Sequence, residues 1–143
     1  MFVRKKFAYV LGAALLGLMA PHKTAAKEIN TFLHCVSTKE TSPRNLELAC
    51  SALAQELAKN YKVLRRNVTS FGVEEGLHIR LTIATKNRHS FNASLIWERI
   101  NSGRITQKYT GQQLTTYSSD QETNRVSFAQ MAQTLAKHSD LPE

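Results

Sequence analysis

Two hydrophobic periods divide the chain. From Pro43 to Tyr61 the apolar positions fall at Leu46, Cys50, Leu53, Leu57 and Tyr61, in steps of 4, 3, 4 and 4. That spacing is one stripe of an amphipathic helix, with Glu47, Ser51, Gln55, Lys59 and Lys62 on the other side. Ser42 suits the N-cap, and Pro43 suits the first helical position, where its missing N–H is no loss. From Leu77 the period becomes two. Leu77, Ile79, Leu81 and Ile83 alternate with His78, Arg80, Thr82 and Ala84. Phe91, Ala93, Leu95 and Trp97 alternate with Asn92, Ser94, Ile96 and Glu98. Each set predicts a half-buried strand. Lys86 to Ser90 connects them, and Asn101-Ser102-Gly103 is a turn signal. A third strand is expected over Arg104–Thr110 and a fourth over Leu114–Ser118. Asn124 can cap a last helix, Arg125–His138, whose Phe128, Met131, Ala132 and Leu135 share a face.

Two stretches resist a period. Lys27 to Glu40 has apolar weight at Ile29, Phe32, Leu33 and Val36 and fits a short helix or an edge strand. Val63 to Phe71 (VLRRNVTSF) fits either an extension of the helix to Arg66 or a first strand. The expected fold is an α+β two-layer sandwich. An antiparallel meander of three to four strands is flanked in sequence by an N-terminal and a C-terminal helix, which cover its apolar face.

The first residues change the picture of where this fold works. Arg4, Lys5 and Lys6 precede an uncharged run of 14 residues, Phe7 to Ala20. Thr24 and Ala26 then suit a cleavage site, so residues 1–26 read as a cleaved secretory signal peptide. A span needs about 17–25 apolar residues, more than this run supplies. The expected domain is therefore 27–143, with no transmembrane segment. The leader removes four basic residues from a chain of net charge +8, which leaves 15 basic and 11 acidic residues, net +4. Nucleic acid is not an expected partner of an exported domain with so modest a charge. An envelope protein or an anionic envelope component is. A short cationic leader with a compact apolar run fits bacterial export, and the expected compartment is the periplasm, with the extracellular space as the alternative.

That compartment decides how the cysteines read. Cys35 and Cys50 are the only two, and an even count in an oxidising compartment implies a disulfide. Neither C-x-x-C nor C-x-x-C-H occurs, which removes a thioredoxin-like pair and c-type haem attachment. His34 is adjacent to Cys35 and a poor partner for it on one tetrahedral ion. Motif chemistry is otherwise sparse. There is no H-E-x-x-H, no G-x-S-x-G and no Gly-rich phosphate loop, and no cofactor is expected. Asn67-Val68-Thr69 and Asn92-Ala93-Ser94 match the glycosylation acceptor pattern, which matters only in a eukaryotic secretory pathway. His78 and His89 are the histidines that the first hairpin could bring together.

The outward phase of the strands is the remaining feature. His78, Arg80, Thr82, Arg104, Thr106 and Lys108 would give a polar, mildly basic face. The expected function is a small exported, non-enzymatic envelope binding or accessory module. It would use that face or a free edge strand. The alternatives are a small secreted hydrolase whose site is dispersed in sequence, and an envelope protein binding metal through His78 and His89 or the cysteines.

Overall fold

The computed structural model describes residues 29–66, 74–110, 115–118 and 122–142. The expected leader, 1–26, and residues 67–71 of the ambiguous stretch lie outside them. The elements in chain order are β1 (Asn30–Ser37), α1 (Pro43–Leu57), β2 (Lys62–Arg66), β3 (Gly76–Asn87), β4 (Ser90–Asn101), β5 (Arg104–Tyr109), β6 (Thr115–Ser118) and α2 (Arg125–His138).

The fold is α+β, but the sheet is mixed rather than an antiparallel meander. Its order is β2-β1-β3-β4-β5, and β6 pairs with β4 beyond the end of β5. β1 runs parallel to both β2 and β3, whereas β3–β4, β4–β5 and β4–β6 are antiparallel. The first three elements thus form a β-α-β crossover that hairpin spacing did not reveal. The reason lies in β1. It is neither a helix nor an edge strand: it sits between two neighbours, and Thr31, Phe32, Leu33 and His34 are all buried. A strand buried on both faces loses its alternation. Here a threonine and a histidine also interrupt the apolar run.

α1 starts where expected, with Ser42 Oγ accepting from the Asn45 N–H at 3.1 Å. It ends at Leu57, short of Tyr61. The N–H groups of Asn60 and Tyr61 both bond to the Leu57 carbonyl, and β2 begins at Lys62. Tyr61 still packs against the core, so the helical period runs on past the helix itself. α2 is bounded as expected. Its cap Asn124 accepts from Val126 and Ser127 N–H, and the Ser127 hydroxyl accepts from the Asn124 N–H.

Both helices lie on one side of the sheet. Ala49, Cys50, Leu53 and Leu57 of α1, with Phe128, Met131, Ala132 and Leu135 of α2, close over Leu33, Leu77, Ile79, Leu81, Ile83, Phe91, Ala93, Leu95 and Trp97. Burial of this order is the main favourable contribution to such a fold. Cys35 and Cys50 form a disulfide with Cα–Cα 5.9 Å, which ties β1 to α1. The Trp97 indole N–H donates to the Ser139 carbonyl at 2.7 Å, and the Tyr61 hydroxyl donates to the Pro142 carbonyl. Gly76 has φ +137°, and a Cβ there would collide with the Asn30 carbonyl oxygen. Only glycine lets β3 start this close to β1.

Candidate functional site

The six residues expected on one face do not share a surface. His78, Arg80 and Thr82 occupy the helix-free side of β3. Lys108 joins them, because it pairs with Glu98, which in turn pairs with His78. Arg104 does not. A bulge between Arg99 and Ile100 shifts the β4–β5 register, so that Arg104 pairs with Asn101 on the opposite phase. The Thr106 hydroxyl is engaged with the Arg99 carbonyl and the Asn101 amide. His78 is 1% exposed and is not a solvated contact residue. Alternation read straight through β5 missed the bulge.

The expected approach of His78 to His89 also fails. His89 lies in the β3–β4 turn, while His78 is near the start of β3, about 30 Å of strand away. His78 instead meets His34 of β1, at 3.3 Å between ring nitrogens. Among the described residues, no three His, Cys, Asp or Glu side chains gather as a metal site would require.

The cations that do gather are elsewhere. Both helices begin at the same end of the molecule, beside the β3–β4 turn. Between their starts is a cleft of about 830 Å³ lined by Arg44 at the start of α1, Arg88 of the turn and Arg125 at the start of α2. Glu40, Ser42, Asn45, Leu48, Thr85, Asn87, Glu122, Thr123, Asn124 and Val126 complete it.

The local sequence explains why these walls are fixed. Each helix is approached by the same three-residue pattern: Glu40-Thr41-Ser42 before α1 and Glu122-Thr123-Asn124 before α2. The third residue caps the helix. The second grips the β3–β4 hairpin. Thr41 Oγ1 accepts from the Thr85 N–H at 3.1 Å and lies 2.9 Å from Thr85 Oγ1, and the Thr38 N–H donates to the Ile83 carbonyl. On the other side the Thr123 N–H and hydroxyl both donate to the Arg88 carbonyl, at 2.9 and 3.3 Å. Within the turn, Asn87 Oδ1 accepts from the His89 N–H at 2.8 Å. Both sides of the cleft are thus anchored to one hairpin.

The electrostatics run against ordinary helix design. Neither helix has an acidic residue in its first turn, and each carries an arginine there. A cation at a helix N-terminus opposes the macrodipole, at a cost of about 0.3–1 kcal/mol when exposed. The caps satisfy Asn45, Val126 and Ser127, which leaves the N–H groups of Arg44 and Arg125 as first-turn donors without an intrahelical acceptor. Glu40 and Glu122 also line the cleft, but among the described residues neither forms an ion pair with Arg44, Arg88 or Arg125. The contrast with Arg65 is instructive. Its two guanidinium nitrogens each donate to a Glu47 carboxylate oxygen at 2.8 Å. That bond, with the Ser51 hydroxyl, lowers Glu47 from 4.5 to about 2. Where the chain needs a neutralised surface arginine, it provides a carboxylate with that geometry. At the cleft three arginines have no carboxylate in that geometry among the described residues.

Nothing in the sequence reading marked this cleft. The signal is the repeated Glu-Thr-cap approach, followed by arginine instead of the usual acid. Comparison with known protein families, curated proteins and solved structures finds no match to this chain.

Proposed function

We infer that this protein is a small exported binding module of the cell envelope, periplasmic in location, and that its cleft holds an anionic group of an envelope component. The observation that carries this reading is the convergence of Arg44, Arg88 and Arg125 on one cleft, with no carboxylate in ion-pair contact among the described residues. The Cys35–Cys50 disulfide and the signal-like leader support export. No described helix is long and apolar enough to cross a membrane, which is compatible with an exported domain held in the envelope by what it binds.

An anion in the cleft would relieve the mutual repulsion of three guanidiniums and complement two helix N-termini at once. Guanidinium suits carboxylate and phosphate oxygens because its planar fork can donate twice to one group. The anchored walls mean that little side-chain or loop ordering opposes binding beyond the arginines themselves.

Titration with inorganic pyrophosphate at low ionic strength tests it. The Arg44→Gln, Arg88→Gln double variant should bind at least roughly tenfold more weakly, equivalent to about 1.4 kcal/mol, while its thermal midpoint holds or rises slightly, since it loses a cation at a helix N-terminus. Equal affinity of the wild type and the double variant would refute the reading.

A further inference from the structure

Beside the arginine cleft is a smaller cavity of different chemistry. It has a volume of about 250 Å³ and lies between β6 and the first turns of α2. His89 and Phe91, Tyr117 and Ser118 of β6, and Ser127 and Gln130 of α2 line it. Thr123, Asn124 and Val126 line both this cavity and the cleft, so the two adjoin along the approach to α2. The walls are set before any ligand arrives. Phe91 and Tyr117 pair across β4 and β6, and their rings stack at 5.2 Å with 16° between planes. Phe91 packs in turn on buried Phe128 of α2, with centroids 4.9 Å apart. On the other wall, Asn124 and Ser127 are held by the capping box that joins them. Walls fixed in this way leave little ordering to oppose binding.

The lining is polar without carrying a carboxylate, ammonium or guanidinium. Among the described residues it has no Asp, Glu, Lys or Arg. Its hydroxyls, amides and imidazole can both donate and accept hydrogen bonds. The side-chain polar groups of Ser118, Gln130 and His89 are engaged by no described residue. Val126, 64% exposed, adds an apolar surface where cavity and cleft join. The arginines suit an anion. The cavity suits a neutral, hydroxyl-bearing group with an apolar face to meet Tyr117 and Val126. A pyranose ring has that make-up, with hydroxyls around its rim and C–H bonds on its faces. At about 250 Å³ the cavity is smaller than the roughly 300–1,000 Å³ of sites for drug-sized ligands, which fits a single ring.

We propose that this cavity is a sugar subsite and that the ligand of the combined site is a hexose phosphate. Its phosphate lies among Arg44, Arg88 and Arg125, and its ring lies past Thr123 and Asn124 against Tyr117, Ser118 and Gln130. The proposal rests on the reading that the cleft holds an anion, and it adds the neutral group which that anion carries. A free hexose phosphate and a phosphate-linked sugar of an envelope lipid or polymer share this chemistry.

Calorimetric titration of the purified protein at low ionic strength with inorganic phosphate, glucose 1-phosphate and the methyl phosphodiester of glucose 1-phosphate tests it. Glucose 1-phosphate should bind at least roughly tenfold more tightly than inorganic phosphate. Ser118 and Gln130 are exposed, so a Ser118→Ala, Gln130→Ala double variant should fold normally. It should lose that advantage while keeping its affinity for inorganic phosphate. Gln133→Ala, on the same helix but outside the cavity, should retain the advantage. A methyl diester that matches glucose 1-phosphate supports the subsite with a linked sugar as its source, and a diester that binds more weakly supports it with the free monoester. Equal affinity for inorganic phosphate and glucose 1-phosphate, or a double variant that keeps the advantage, overturns the subsite and leaves the anion cleft standing. Binding of neither overturns both.

Discussion

Breaking the Cys35–Cys50 bridge should remove a large share of this domain's stability, and the size can be worked from the structure. The bridge closes a loop of sequence separation 15 between a central strand and the helix that crosses over it. In the chain-entropy account a closed loop of this length restricts the unfolded ensemble by about 3 kcal/mol at 25 °C. A small domain has only about 5–15 kcal/mol in all. Cys50 is buried against the core, so replacing both residues with alanine adds a small packing loss. The Cys35→Ala, Cys50→Ala variant should therefore melt roughly 10–20 °C lower. In urea it should show a lower midpoint with a somewhat larger m, because the unbridged chain unfolds to a more expanded state. Chemical reduction of the wild type should reproduce the shift, with intact mass rising by two hydrogen atoms. A melting change under about 3 °C with m unaltered would refute the loop-entropy reasoning.

The other predictions rest on single contacts. Gly76→Ala should cost about 3 kcal/mol or more in urea unfolding, because φ +137° and the Asn30 carbonyl leave no place for a Cβ. A cost below about 1 kcal/mol would mean that β3 enters the sheet differently. Trp97→Phe should cost about 1–3 kcal/mol, since it strips the donor from the buried Ser139 carbonyl, and thermal unfolding measures it. Glu47 has a folded pKa below its unfolded value, so its contribution is present above about 4.5 and is lost as pH falls toward about 2. Glu47→Gln should flatten the stability profile across that window, and added salt should shrink the effect because both side chains are in solvent.

The parts of the fold legible in sequence were those whose elements have one dry face. α1, α2, β3 and β4 show their period because solvent sees one side of each. β1 hid because both faces are covered, and with it went the parallel crossover. The Arg99/Ile100 bulge hid because alternation carries no mark of an inserted residue. The disulfide was legible from the expected compartment and the even count of cysteines. His34 was visible only as a neighbour of Cys35, and its meeting with His78 depends on a parallel register that hairpin logic does not supply. The cleft was least legible of all, since its arginines lie 44 and 37 positions apart in the chain and converge only because both helix starts grip one hairpin. Physical reading of the caps could have flagged it, through arginine standing where helices favour acid.

The central claim is that an anion binds between the two helix starts. Backbone ¹H–¹⁵N shift mapping during titration with inorganic pyrophosphate at low salt tests it most directly, because it reports location as well as affinity. The account predicts the largest shifts at the amides of Arg44, Arg88 and Arg125, saturating together with one dissociation constant. Shifts centred on Arg80 and Lys108 of the helix-free face, or spread without saturation over the basic surface, would contradict it.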